Sequence, residues 1–206
     1  MGQRSLSASR CAGCGLHDEL CLCPSMPKLD LRTHLVIVQH NRERHKPTNT
    51  ARLAQQMFAG SEMVWYGARD AAMDTAPLVD PGRDYLLLFQ REDAITLTPE
   101  VAAALGADGR TPTLVVLDGT WHQCSRMARR APRIPELQCY ALPEGPPSTW
   151  KIRTPPRPGA LSTLEATCRA LAILEGDAAV TRPAEAWFEA VTERLWQMRG
   201  YSRPDD

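Results

Sequence analysis

Thr113-Leu-Val-Val-Leu-Asp118-Gly-Thr-Trp121 decides the fold. Its first five residues have the composition of a strand buried on both faces, as in a parallel sheet. The run then ends abruptly in an acid, a glycine, a hydroxyl and an indole. Residues just past such a strand lie at its carboxyl edge, where open α/β sheets bind their ligands. An Asp-Gly turn with Trp121 as core filler is the plain structural alternative.

Working outward, His34-Leu-Val-Ile-Val-Gln39 reads as a first buried strand, with further strands over 63–66, 85–89 and 137–142. Helices are expected over Ala51–Phe58, capped by Thr48 or Asn49, and over 99–105, 121–130, 162–174 and 184–199. In the last of these, Trp187, Val191, Leu195 and Met198 fall at helical spacing and read as core. Alternating buried strands and helices predict an α/β fold with a largely parallel sheet and flanking helices. Residues 143–158 hold six prolines and read as a stiff surface loop carrying Ser148, Trp150, Lys151 and Arg153.

The chain has 206 residues and a formal net charge of zero, enough for one domain with a real core. That charge excludes a globally basic nucleic-acid binder. The cations are nevertheless clustered: Arg42, Arg44, Lys46 and Arg52; Arg126, Arg129, Arg130 and Arg133; Lys151, Arg153 and Arg157. Such segregation suits a polyanion groove on an otherwise acidic body. Residues 1–10 read as a flexible tail without the apolar segment of a secretory signal, and no apolar run reaches the roughly 18–20 residues of a membrane helix. A cytoplasmic, reducing location is therefore expected, with the seven cysteines as thiols or metal ligands.

Four of them, Cys11, Cys14, Cys21 and Cys23, lie within thirteen residues as Cys-x-x-Cys and Cys-x-Cys. This spacing predicts a closed tetrahedral site, with zinc as the best candidate, in a knuckle over 11–31 preceding a catalytic domain over 32–206. Cys124, Cys139 and Cys168 sit among apolar residues and read as core.

Two more constellations carry polar chemistry. The loop His40-Asn-Arg-Glu43-Arg-His45-Lys46-Pro-Thr-Asn49-Thr-Ala-Arg52 follows a buried strand and opens a helix, where an anion is favoured. Ser162-Thr163-Leu-Glu165 has the pattern of a capping box, which suffices as a structural reading of Ser162 and Glu165.

Taken in order, these motifs resemble the DTW-domain family: the paired cysteines, the His…Glu…Thr-Asn-Thr loop, Asp118-x-Thr120-Trp121 and Ser162-Thr163-x-Glu165-Ala166, over about residues 11–175. The resemblance implies a SPOUT-like α/β fold with a knotted cofactor site. It also implies a tRNA-uridine aminocarboxypropyltransferase that uses S-adenosylmethionine as donor. Carried onto this chain, it makes Asp118 the central catalytic group, either as base for uridine N3 or as partner of the donor ammonium. Thr120 and Trp121 would support the donor or stack the uracil. Gly119, Ser162, Thr163, Glu165 and Arg153 would bind the donor, and His40, Glu43, Lys46, Asn49, Arg52, Trp150 and Lys151 the RNA. Three positions depart from the family pattern: Asn41 stands where Pro is expected, Ala51 where Gly is expected and Trp150 where Tyr is expected. Ala51 would crowd a close backbone approach to a ligand. The rival readings are a SPOUT-like RNA methyltransferase, which would release S-adenosylhomocysteine, and a non-catalytic zinc-containing RNA-binding module. Neither a Walker A run nor Gly-x-Gly-x-x-Gly occurs, which argues against a nucleotidase or dinucleotide enzyme.

Overall fold

The apolar runs at 34–40 and 111–118 become adjacent interior strands of a six-stranded sheet whose strands all run parallel. The structure is a computed structural model and describes residues 9–47, 49–150 and 159–198. Its strands are β1 (His34–His40), β2 (Glu62–Tyr66), β3 (Arg83–Leu88), β4 (Ile95–Thr96), β5 (Thr111–Asp118) and β6 (Cys139–Ala141), in the order β2-β1-β5-β3-β6-β4. The helices are α1 (Ala51–Met57), α2 (Pro99–Ala104), α3 (Trp121–Arg130), α4 (Thr163–Glu175) and α5 (Arg182–Met198).

Strand alternation splits each buried run between two cores. Leu35, Ile37, Leu86, Leu114 and Val116 face α1, α2, α4 and α5, whereas Val36, Val38, Leu87, Val115 and Leu117 face α3. This two-sided burial explains why neither β1 nor β5 alternates with polar residues. Burying one such side chain contributes roughly 1.5–3 kcal/mol relative to leaving it exposed.

From β1 the chain passes through α1 to β2 on one side. From β5 it passes through α3 to β6 on the other. The β1/β5 boundary is therefore a topological switch point, the place where open α/β sheets carry their ligand crevice. Register aligns Trp65, Gln39 and Asp118 in one row at this edge.

The expected helix starts hold, with one refinement. Asn49 supplies the α1 cap, its Oδ1 accepting from Arg52 N at 3.0 Å, while Thr50 makes no side-chain cap bond and Thr48 lies outside the described residues. Trp187, Val191 and Leu195 are buried as expected, and the Met198 side chain falls outside the description. The cysteine-rich segment docks on the same core. Leu16, Leu20 and Met26 pack among residues of α1 and α5. Trp187 Nε1 donates to Leu22 O at 3.0 Å, and Gln56 Nε2 to Gly13 O at 2.6 Å. Among the described residues no helix is long and apolar enough to cross a membrane.

Candidate active site at the β1/β5 switch point

The carboxyl ends of β3, β5 and β6, the loop between β1 and α1, the start of α4 and the proline-rich loop line a cavity of about 780 Å³. That size suits a drug-sized ligand. Asp118 lies in its wall at 4% exposure. Three neutral groups donate to this carboxylate: Asn49 Nδ2 to Oδ2 at 2.6 Å, Gln39 Nε2 to Oδ2 at 3.0 Å and Thr163 Oγ1 to Oδ1 at 2.7 Å. Gln39 Nε2 also donates to Asn49 Oδ1 at 3.2 Å, which ties the two amides together. A carboxylate offers about four acceptor positions. Among the described residues three are taken, which leaves one on Oδ1. β1, β5, α4 and the loop before α1 thus converge on a single acid.

The turn after Asp118 is shaped by a second capping box. Thr120 Oγ1 accepts from Gln123 N at 3.3 Å, and Gln123 Oε1 accepts from Thr120 N at 2.7 Å. A Cβ on Gly119 would stand 3.0 Å from Gln123 Cβ and 3.1 Å from its Oε1, so the box closes tightly because position 119 has no side chain. Trp121 is no core filler. It is 40% exposed at the cavity and stacks on Phe89 at 5.1 Å between ring centroids. Burial, followed by the nearby charge of Asp118, pushes the Cys124 thiol up to about 12. Thiolate chemistry at neutral pH is thereby disfavoured.

Glu165 completes the cap expected from sequence and does more. Its Oε2 accepts from Ser162 N at 2.8 Å and Ser148 Oγ at 2.7 Å. Its Oε1 accepts from Thr149 N at 2.7 Å and Thr149 Oγ1 at 3.1 Å. Burial alone would push this carboxyl up; the hydrogen bonds, led by Ser148, outweigh burial and hold it below its usual range. All four acceptor positions serve protein groups, and Glu165 does not line the cavity, whereas Ser162 and Thr163 do.

The remaining sequence-derived candidates separate in space. Gly119, Thr120, Glu43 and Asn49 line the cavity. Glu43 is 1% exposed and pairs with Lys46 Nζ at 2.6 Å. His40 lies outside the lining; burial, then Arg42, with further contributions from Arg126 and Lys46, pushes its imidazole down. Arg42 and Lys46 of the first basic cluster and Arg126 of the second thus all act on His40. Arg133 is instead tied to Glu136 at 2.7 Å. Arg52 turns to the cysteine knuckle, with its guanidinium beside Gly15 and Nη2 donating to Arg44 O at 2.8 Å. Ala51 is fully buried in the core and is not itself among the residues lining the cavity. Trp150 lines the cavity but is 6% exposed and stacked on Phe188, which leaves it no open face for a base. Lys151 and Arg153 lie outside the described residues. Sequence reasoning missed Gln39, Phe89 and Arg169. For Gln39 the sequence shows only a polar residue near the end of an apolar strand; its register with Asp118 comes from the sheet.

A second site lies at the knuckle. The four sulfurs of Cys11, Cys14, Cys21 and Cys23 all lie within 4.8 Å of one another, with close pairs at 3.3, 3.7 and 4.0 Å. Tetrahedral metal–thiolate bonds of about 2.3 Å place sulfurs roughly 3.8 Å apart, so the set fits one ion.

The sequence profile of the DTW domain matches residues 8–196. The chain belongs to the DTW domain family. It is similar to tRNA-uridine aminocarboxypropyltransferase 2 of Drosophila melanogaster, 31% identical over 174 residues that cover 81% of this chain and 67% of the fly protein. The proteins of the same name from Macaca fascicularis and Mus musculus are each 29% identical over 80% of this chain, which spans only 56% of their length. Among solved structures, the SAM-dependent rRNA:acp-transferase Tsr3 from Vulcanisaeta distributa aligns at a TM-score of 0.49 and 16% identity, over 80% of this chain and 79% of that one.

Proposed function

We propose that this DTW-domain protein moves the 3-amino-3-carboxypropyl group of S-adenosylmethionine to N3 of a uridine in tRNA and releases methylthioadenosine. Membership of the family and the activity for which its relatives are named support the reading. The observation that carries it is Asp118, a buried carboxylate aimed by three neutral donors, with one acceptor position left at a cavity of ligand size.

In this reading the free position on Asp118 Oδ1 takes the N3 proton. The N3 lone pair forms a bond to the methylene carbon next to sulfur, and the C–S pair returns to sulfur as a neutral thioether. Gln39, Asn49 and Thr163 aim the base, so that little reorientation accompanies reaction. The exposed Trp121 face, backed by Phe89, stacks the uracil. N3 lies on the Watson–Crick edge, so the uridine enters unpaired or extruded. Arg42, Lys46 and Arg126, whose charges act on His40, contact phosphates. Zinc is the ion we assign to the four thiolates, where it would order the knuckle against α1 and α5. Reduced thiolates and a tRNA substrate place the protein in the cytoplasm in this reading.

Purified protein incubated with unmodified tRNA and S-adenosylmethionine tests the proposal, with small molecules and digested nucleosides read by mass spectrometry. Methylthioadenosine together with a uridine heavier by one aminocarboxypropyl group is the expected result. S-adenosylhomocysteine with a methylated base would replace it with the methyltransferase reading. RNA binding without any product would leave the binding module.

A further inference from the structure

The charged side chains lining the cavity are unequal in sign. Among the described residues they are Glu43, Asp118, Glu144 and a single cation, Arg169. Arg169 lies on α4 six residues beyond Thr163, the residue that holds Asp118. That is about 9 Å of helix rise, and both the guanidinium-bearing Arg169 and Asp118 line the same cavity.

Arg169 is also left without its ordinary partner. Glu165, at the favourable i, i+4 spacing, is consumed by the cap and by Ser148 and Thr149. No carboxylate among the described residues lies within ion-pair distance of Arg169. Its Nη2 donates to Pro146 O at 2.6 Å. Its Nη1 occupies space that a side chain at Gly145 would invade, since a Cβ there would stand 3.2 Å away. Glu185 on α5 feels Arg169 only at longer range. The result is a cation held by one carbonyl, with donor capacity remaining at the cavity wall.

The donor in the proposed reaction carries three ionic groups: a sulfonium, an ammonium and a carboxylate. The two cations suit a chamber walled by acids. The carboxylate does not, and needs a positive group; among the described residues Arg169 is the one that lines the cavity. We infer that Arg169 binds the α-carboxylate of the donor amino acid, which makes it the residue that selects an amino-acid arm over an uncharged or purely cationic one. The inference rests on the aminocarboxypropyltransferase reading. It orients the arm with its carboxylate at Arg169 and its reacting methylene toward Asp118.

Binding of three ligands to the full chain by titration calorimetry tests this. They are S-adenosylmethionine, its decarboxylated analogue and methylthioadenosine, which lacks the arm. The native protein should prefer S-adenosylmethionine over the decarboxylated analogue by about ten- to a hundredfold, the range for a charge-assisted contact. Arg169→Gln should abolish that preference and leave methylthioadenosine affinity unchanged; Arg169→Lys should restore part of it. If Arg169→Gln kept the preference, the assignment would fall and Arg153 would become the anchor. If it weakened all three ligands equally, Arg169 would be a brace for Pro146 and the assignment would fall as well. A native protein that bound none of the three would overturn the donor reading itself.

Discussion

Two helices open onto the cavity with the same four-residue device, yet they carry different loads. At α3, Thr120 and Gln123 cap each other, and among the described residues Gln123 Oε1 accepts only from Thr120 N. At α4, Ser162 and Glu165 do the same, but the Glu165 carboxylate also accepts from Ser148 and Thr149, seventeen and sixteen residues away. An amide oxygen has two lone pairs, whereas a carboxylate has about four. The neutral box therefore stays local, while the charged one fastens the proline-rich wall of the cavity to the helix that aims Asp118. Identical local motifs thus define a helix start in one place and a long-range clamp in the other.

The largest expected effect lies at the residue joining the two helices. Asp118 immediately precedes the α3 turn and accepts from Thr163 on α4. Asp118→Asn should lower the rate of methylthioadenosine release by about 10²–10⁴-fold, the range for loss of a general base. It should also cost about 1–3 kcal/mol of stability, because one amide hydrogen must face another donor in the Gln39–Asn49 network. Transfer at the native rate would remove Asp118 from the chemistry. A tRNA carrying 5-fluorouridine, whose N3 is more acidic, should recover activity in this variant if Asp118 is the base. It should not if Asp118 holds the donor ammonium.

The clamp ranks next. Glu165→Gln keeps one acceptor oxygen for the cap but cannot serve all four donors. Chemical denaturation should show a loss of about 2 kcal/mol, since hydrogen bonds to a charged group are among the stronger ones. KM for the donor should rise about tenfold as the wall loosens. An unchanged KM would make the clamp purely structural and erase the contrast with α3. The same contrast is readable in pH. The Glu165 carboxyl is held below its ordinary value of 4.5 in the folded protein. Its contribution is therefore complete above that value and is lost as pH falls through the lower, folded one. Stability measured downward from pH 5 should converge for native protein and Glu165→Gln. The α3 box has no titrating member and should contribute equally across that window.

This difference in load also marks where sequence reasoning stops. β1 and β5 were legible because burial on both faces writes a continuous apolar run, and α3 and α4 because their caps and periodicity are local. The four cysteines were legible because metal geometry constrains spacing within thirteen residues. Gln39 was not, because its role exists only once β1 and β5 are in register. Glu165 was half legible: the cap is local, and the bonds to Ser148 and Thr149 are not. Arg52 and Trp150 had the right chemistry for RNA, but tertiary packing turned one to the knuckle and stacked the other on Phe188. Arg169 carried no local signal, since it reads as an ordinary exposed helix position until the cavity around it is closed.

The smallest effect is the one that isolates the local box. Gln123→Ala removes the reciprocal bond to Thr120 N and leaves the Thr120 hydroxyl still accepting from residue 123. Losing half of a solvent-accessible cap should cost about 0.5–1 kcal/mol, and α3 is only ten residues long. Because the hydrogen bonds of Gln123 among the described residues stay within its own turn, KM for donor and for tRNA should stay within about twofold of the native protein. Thermal melting and steady-state kinetics on the same sample read both quantities. A rise in KM comparable to that of Glu165→Gln would mean that Trp121, the first residue of α3, depends on the box for its stacking angle on Phe89. The neutral cap would then be a positioning device as well, and the difference between the two helix starts would be one of degree.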